Sequence, residues 1–206
     1  MPEGLASAIT QIAGTAIPVR GNDIDTDRIV PARYLKEVTF DRMGEYPFYD
    51  ERFDTQGNQK PHPFNDERYR GASVLLVNTN FGSGSSREHA PQALLRFGIR
   101  AIVGESFAAI FTGNSMAIGL ATVTIPHDEV ERLMAMVEAD PSITLTVDVA
   151  EQCLTYPGGV LPVQLTDTAQ KALTQGYWDS TSTLTANMPK VREVAARLPY
   201  LNGFKS

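Results

Sequence analysis

One cysteine, Cys153, is all the thiol chemistry that 206 residues offer. A lone cysteine excludes an internal disulfide, and it cannot hold an iron–sulfur cluster, which normally takes several thiolates. Histidine is almost as scarce: His62, His89 and His127 lie scattered, without the spacing of a metal-ligand pair. Basic residues are outnumbered, 18 Lys and Arg against 24 Asp and Glu, and the net charge of −6 argues against a nucleic-acid partner. A few local arginines can still reverse the field in one cleft and bind a small anion. No apolar run reaches the roughly 20 residues that cross a bilayer, so no membrane partner is expected. The opening Met1-Pro2-Glu3-Gly4 lacks the basic start of a secretory signal, which makes a cytoplasmic, reduced setting the expectation.

The remaining composition, 42% hydrophobic and 20% charged, is that of an ordinary globular chain with enough residues to bury a core. Residues 1–206 are therefore expected to form a single domain. Residues 15–20 read as a short strand ended at Gly21-Asn22, followed by an acidic loop. From Gly44 to Gly71 aromatics, charges, Pro and Gly mix without period, and a lid-like loop is expected over about 44–70. Residues 72–77 form a continuous apolar run, the pattern of a strand buried on both faces. A Gly/Ser-rich turn follows, then a helix carrying Ala90, Leu94 and Phe97 and stopped by Gly98. A second buried strand is predicted at 100–104, a helix at 106–113 ended by Gly113-Asn114, a third strand near 121–125 and a helix near 128–138. Residues 143–148 and 160–165 alternate around Pro157-Gly158-Gly159, suggesting a hairpin. Helices near 167–175 and 180–197 make a C-terminal helical tail at about 167–206. Strands alternating with helices, then hairpin-like strands, give an α/β domain with a mixed sheet.

The most informative stretch runs from Asn80 to Ala90, Asn-Phe-Gly-Ser-Gly-Ser-Ser-Arg-Glu-His-Ala, between a buried strand and a helix, where α/β sheets place their ligands. Gly82 and Gly84 let backbone N–H groups approach a bound group, and a helix N-terminus favours an anion there. Arg87 adds a planar fork suited to a carboxylate. A plainer reading stands beside this one: Ser85-x-x-Glu88 is a capping box that only starts a helix. Pro91 counts against the box, since it would then sit inside the helix and clash with an earlier carbonyl. A P-loop is excluded because Gly84 is followed by Ser85-Ser86 rather than Lys and Ser/Thr, and a hydrolase elbow because its closing glycine is missing. The second stretch, Asp23-Ile24-Asp25-Thr26-Asp27, resembles a calcium loop only in part, with Arg28 where the glycine belongs and Tyr34 where the terminal glutamate belongs. On its own it reads as an Asx-rich turn.

Taken together, Gly82-x-Gly84-Ser85-Ser86-Arg87-Glu88-His89 and Asp25-x-Asp27-x-Ile29-x-Pro31 resemble the swivelling C-terminal domain of the aconitase family. Arg100-Ala101-Ile102-Val103, Ser106-Phe107-Ala108 and Asn114 follow in the family's order, so the resemblance spans roughly residues 15–125, and the length is similar to that of a separate small subunit. It implies a swivelling β/β/α fold docking onto a large subunit that carries a [4Fe–4S] cluster, with no cofactor in this chain. It implies a hydro-lyase acting on a small-molecule dicarboxylate, first of all interconverting 2- and 3-isopropylmalate in leucine biosynthesis. Homoaconitate, methylmalate/citraconate or dimethylmalate chemistry, or a non-catalytic anion-binding module, is the alternative. Carried onto this sequence, the resemblance makes Ser85 the catalytic base and Arg87 the carboxylate ligand. Ser86, Gly84, Asp25, Thr26 and Asp27 join the substrate-binding set. The residues after Tyr34-Leu35 would face the variable end of the substrate, where Val38 suits an isopropyl group and Lys36 a further carboxylate.

Overall fold

The computed structural model describes residues 7–37, 39–201 and 203–204; Val38 therefore lies outside the described residues. Seven strands, β1 (Gln11–Val19), β2 (Val74–Val77), β3 (Ala101–Gly104), β4 (Ala121–Thr124), β5 (Thr144–Asp148), β6 (Cys153–Tyr156) and β7 (Gly159–Pro162), form one mixed sheet in the order β4-β3-β2-β1-β5-β6-β7. β1 joins two kinds of sheet. Its second half, Ala16–Val19, pairs in parallel with β2, and its first half, Gln11–Thr15, pairs antiparallel with β5. The burial follows the pairing. Ala16 to Val19 are all buried, as are all four residues of β2 and of β3, because helices cover both faces of a parallel sheet. β5 alternates buried and exposed positions, as an antiparallel strand with one wet face does.

The helices of the parallel half are α1 (Thr26–Ile29), α2 (Tyr49–Arg52), α3 (His89–Phe97), α4 (Ala109–Ala117) and α5 (His127–Ala139). α5 lays Val130, Leu133, Met134 and Val137 on the core, an i, i+3, i+4, i+7 stripe, and packs on β1 and β2. The C-terminal helices are α6 (Asp167–Gln175), α7 (Ser180–Ala186) and α8 (Met188–Arg197).

Three sequence expectations are corrected. The helix predicted to stop at Gly113-Asn114 runs through both residues to Ala117 and ends at Ile118-Gly119. The hairpin at Pro157-Gly158 joins β7 to β6, a strand the pattern missed, while residues 144–148 pair with β1 and β6. The helix predicted over 180–197 is two helices, parted at Asn187 with Pro189 near the start of the second.

Residues 44–70 hold short helical turns rather than regular structure, and Tyr46, Phe48, Phe64 and Tyr69 are buried. Phe48 meets Phe64 edge-on at 4.9 Å, and Phe64 meets Phe97 of α3 at 4.6 Å. Tyr46 stacks on Tyr34 at 3.9 Å. Aromatic contact area replaces the missing backbone ladder here.

Candidate active site

Loops leaving the C-terminal ends of β1, β2 and β3 interlace beyond the sheet. Asp25 forms a parallel bridge with Ser83, and Phe81 forms one with Phe107. The amide of Gly82 donates to the Ile24 carbonyl at 2.8 Å, and that of Thr26 to the Ser83 carbonyl at 2.8 Å. On the other side the Phe81 amide donates to Ser106 at 3.1 Å, and the Ala108 amide to Phe81 at 3.0 Å. Residues 81–83 thus run as a short extra strand between two neighbours. Gly82 makes this possible, since its φ is +79° and a Cβ there would overlap the Phe111 ring. Gly84, at φ +103°, turns the chain beside Thr26, whose Oγ1 would lie 3.2 Å from any Cβ at this position.

Ser85 follows directly. Its amide donates to Thr26 Oγ1 at 2.9 Å, its own Oγ accepts from the Arg87 amide at 3.3 Å, and the Ser86 carbonyl accepts from Asn114 Nδ2 at 2.8 Å. The capping box does not form: the regular helix starts at His89, and Glu88 stands at the cap position without a side-chain bond. Pro91 thereby falls in the first turn, where a missing N–H costs nothing. In the acidic stretch Asp25 caps α1, accepting from the Arg28 amide at 2.8 Å. Thr26 is buried with its hydroxyl bound to Ser85, and Asp27 is exposed in the first turn.

One small cavity of about 10 Å³, room for about a single water, gathers Thr26, Asp27, Ser85, Arg87 and His89, with Val30 and Leu35 as an apolar wall. Asp25, Gly84, Ser86 and Lys36 do not line it; Gly84, Ser86 and Lys36 are exposed. His89 was not singled out by the sequence reading, although it closes the same motif. Its Nδ1 is buried without a hydrogen-bond partner, its ring meets Phe40 at 5.2 Å, and burial holds its pKa below the ordinary histidine value. A far larger cavity, about 820 Å³, lies elsewhere, beside Arg20, Glu51 and His62, and no predicted site residue lines it.

A second polar cluster sits behind the loops. Glu105, His127 and Glu131 bring ligand-type atoms within 4.8 Å of one another, a spatial grouping that sequence spacing did not reveal. Their carboxylates are already engaged. Asn78 Nδ2 donates to both glutamates at 2.8 Å, Thr79 Oγ1 to Glu105 at 2.6 Å, and Arg20 to Glu131 at 2.5 Å. His127 lies 3.0 Å from Glu105, and that hydrogen bond raises the imidazole pKa. The cluster ties the ends of β1, β2 and β3 to α5.

A family model described as the aconitase C-terminal domain matches residues 6–128, more than half of the sequence. The chain belongs to the aconitase family. Within it, a 3-isopropylmalate dehydratase small subunit of Thermus thermophilus is 49% identical over 191 residues, which is 93% of this chain and 95% of that protein. The one from Synechocystis sp. is 48% identical over 196 residues, 95% of this chain and 96% of that protein. A crystal structure of 3-isopropylmalate dehydratase from Methanocaldococcus jannaschii shares the fold with a TM-score of 0.66 at 22% identity, covering 89% of this chain and 98% of that one. The α/β mixed-sheet expectation holds. Among the described residues no helix is long and apolar enough to cross a membrane. The thiol content does not fit an iron–sulfur cluster, since Cys153 is the single cysteine.

Proposed function

We propose that this chain is the small subunit of a 3-isopropylmalate dehydratase, acting in the cytoplasm in leucine biosynthesis and joined to a large subunit that holds a [4Fe–4S] cluster. The observation that carries the reading is 48–49% identity to small subunits of that name over 93–95% of the chain. The site supports it: a hydroxyl, a guanidinium and exposed backbone share one loop at the carboxyl ends of parallel strands. The cavity of about 10 Å³ is too small to enclose a dicarboxylate, so a second surface must close over the loop.

In this reading Ser85 Oγ takes a proton from one substrate carbon as hydroxide leaves its neighbour, and water then adds back with the positions exchanged. The cluster on the large subunit supplies a Lewis acid for the departing hydroxyl. A neutral serine is a weak base, so its alkoxide needs stabilising. Arg87 lines the same cavity, and closing the site against water strengthens its field at Oγ. Arg87 also pairs with a substrate carboxylate through its fork. Gly84, Ser86 and Asp27 offer exposed groups beside that point, Asp25 and Thr26 hold the loop through the Ser83 bridge and the Ser85 amide, and Lys36 is exposed directly after the wall residue Leu35. Residues 44–70 are tied to the segment after β1 by the Arg28–Glu51 and Arg33–Asp50 pairs, and in this reading serve as a lid-like loop when the large subunit docks.

The test is to purify the chain with a large subunit carrying three cluster cysteines, and to measure turnover of isopropylmalate, citraconate and homoaconitate. The reading predicts an iron-free, inactive single chain and a pair that prefers isopropylmalate. A higher kcat/KM for homoaconitate, lost selectively in Lys36→Ala, would assign the chain to the homoaconitate branch instead.

A further inference from the structure

Residues Gly113 and Asn114 are poor helix formers, yet they lie in the middle of α4. Neither is there for the core. Gly113 is exposed, with open space where a Cβ would stand, and the side chain of Asn114 reaches off the helix to the Ser86 carbonyl at 2.8 Å. That carbonyl belongs to the peptide unit between the proposed base and the proposed carboxylate ligand. The same stretch is held from the opposite side, where Thr26 Oγ1 accepts from the Ser85 amide at 2.9 Å. α4 itself is anchored by Phe111, buried against Phe81 of the site loop at 5.4 Å. A packed helix and α1 therefore grip one dipeptide, Ser85-Ser86, through one hydrogen bond each.

From this we infer that Asn114 is a positioning residue for the dehydration step: its amide fixes the Ser86 peptide, and so sets the directions in which the Ser85 hydroxyl and the Arg87 side chain leave the loop. The inference rests on Ser85 being the base. Removing the amide frees that peptide to rotate about ψ of Ser86 and φ of Arg87 while leaving α3, α4 and the sheet in place. A displacement of about 1 Å at reacting groups can cost about a hundredfold in rate. The grip acts on the geometry of proton abstraction, so its loss falls mainly on kcat and less on KM.

The experiment compares Asn114→Ala, Asn114→Asp and Ser85→Ala with the wild-type chain, each reconstituted with the large subunit and assayed on 3-isopropylmalate. Asn114→Ala exchanges a weak helix former for the strongest one, so its melting temperature should stay within about 3 °C of wild type. Its kcat should fall roughly 10- to 100-fold. Asn114→Asp keeps the shape, removes the donor and sets a carboxylate against a carbonyl, so it should be the slower of the two. Wild-type kcat in both Asn114 variants beside an inactive Ser85→Ala overturns the positioning role alone. An active Ser85→Ala overturns it together with the reading on which it rests. A kcat loss that only follows a fall in melting temperature makes Asn114 a structural residue and also overturns it.

Discussion

Replacing Thr26 with Val tests how the site loop is held, because the two side chains have the same shape and differ by one hydroxyl. That hydroxyl accepts the Ser85 amide at 2.9 Å, and Thr26 is 6% exposed. With Val the amide loses its partner. A buried donor left unpaired costs about 1–3 kcal/mol, and the part-buried setting of this bond places the loss in the lower half of that range. For a chain of this size each kcal/mol moves the melting temperature by about 2–4 °C, so a fall of roughly 2–8 °C is expected. The larger effect should be kinetic. Ser85 then loses its anchor on the α1 side, and kcat of the reconstituted enzyme should drop roughly 10- to 100-fold. Thr26→Ser restores the acceptor and should recover most of the rate. Thermal melts of the chain with steady-state assays of the pair read both quantities. A Thr26→Val enzyme matching wild type in melting temperature and kcat would show that the Ser85 amide does not depend on this bond.

Gly82→Ala should unfold the loop rather than tune it, since the added Cβ overlaps Phe111 and the φ of +79° is strained for any L side chain. A loss of about 3 kcal/mol or more in urea unfolding is expected, and a loss under about 1 kcal/mol would contradict the packing described. His62 supplies a pH test: burial among Phe48 and Phe64 pushes its pKa down from 6.5 to about 4. As the pH falls from 6.5 towards 4, the unfolded chain binds a proton that the folded chain refuses, so stability declines across that window. The full penalty is of order 3 kcal/mol. His62→Asn should flatten the decline, and equal slopes for the two proteins would remove His62 as its source.

How much was legible follows from where the determining contacts lie. The bounds of α6 and the buried runs of β2 and β3 follow from local pattern and appear where the sequence puts them. The loop motif lies between a buried strand and a helix as its sequence indicates, and Pro91 was a correct local sign that Ser85 does not cap the helix. What failed depends on partners distant in sequence. Gly113-Asn114 has the signature of a helix end, but Asn114 finds its partner in Ser86 and the helix continues past it. β6 is too short to show alternation and exists because β5 and β7 flank it. Thr26 lines the cavity as a site residue would, but the bond its hydroxyl accepts from the Ser85 amide, 59 positions away, is shown by no local pattern. His89 was visible in the motif, yet only the fold brings it to the cavity of Ser85 and Arg87. The aromatic packing of residues 44–70 has no period, so composition alone could not show it.

The central claim is that this chain contributes the base of a two-subunit hydro-lyase, and turnover of 3-isopropylmalate by the reconstituted pair with Ser85→Ala tests it most directly. Glu88, not Ser85, stands at the helix cap, so the variant should keep its melting temperature and still co-elute with the large subunit. Its kcat should fall by about a hundred- to ten-thousand-fold. A Ser85→Ala pair that turns over at the wild-type rate would contradict the account.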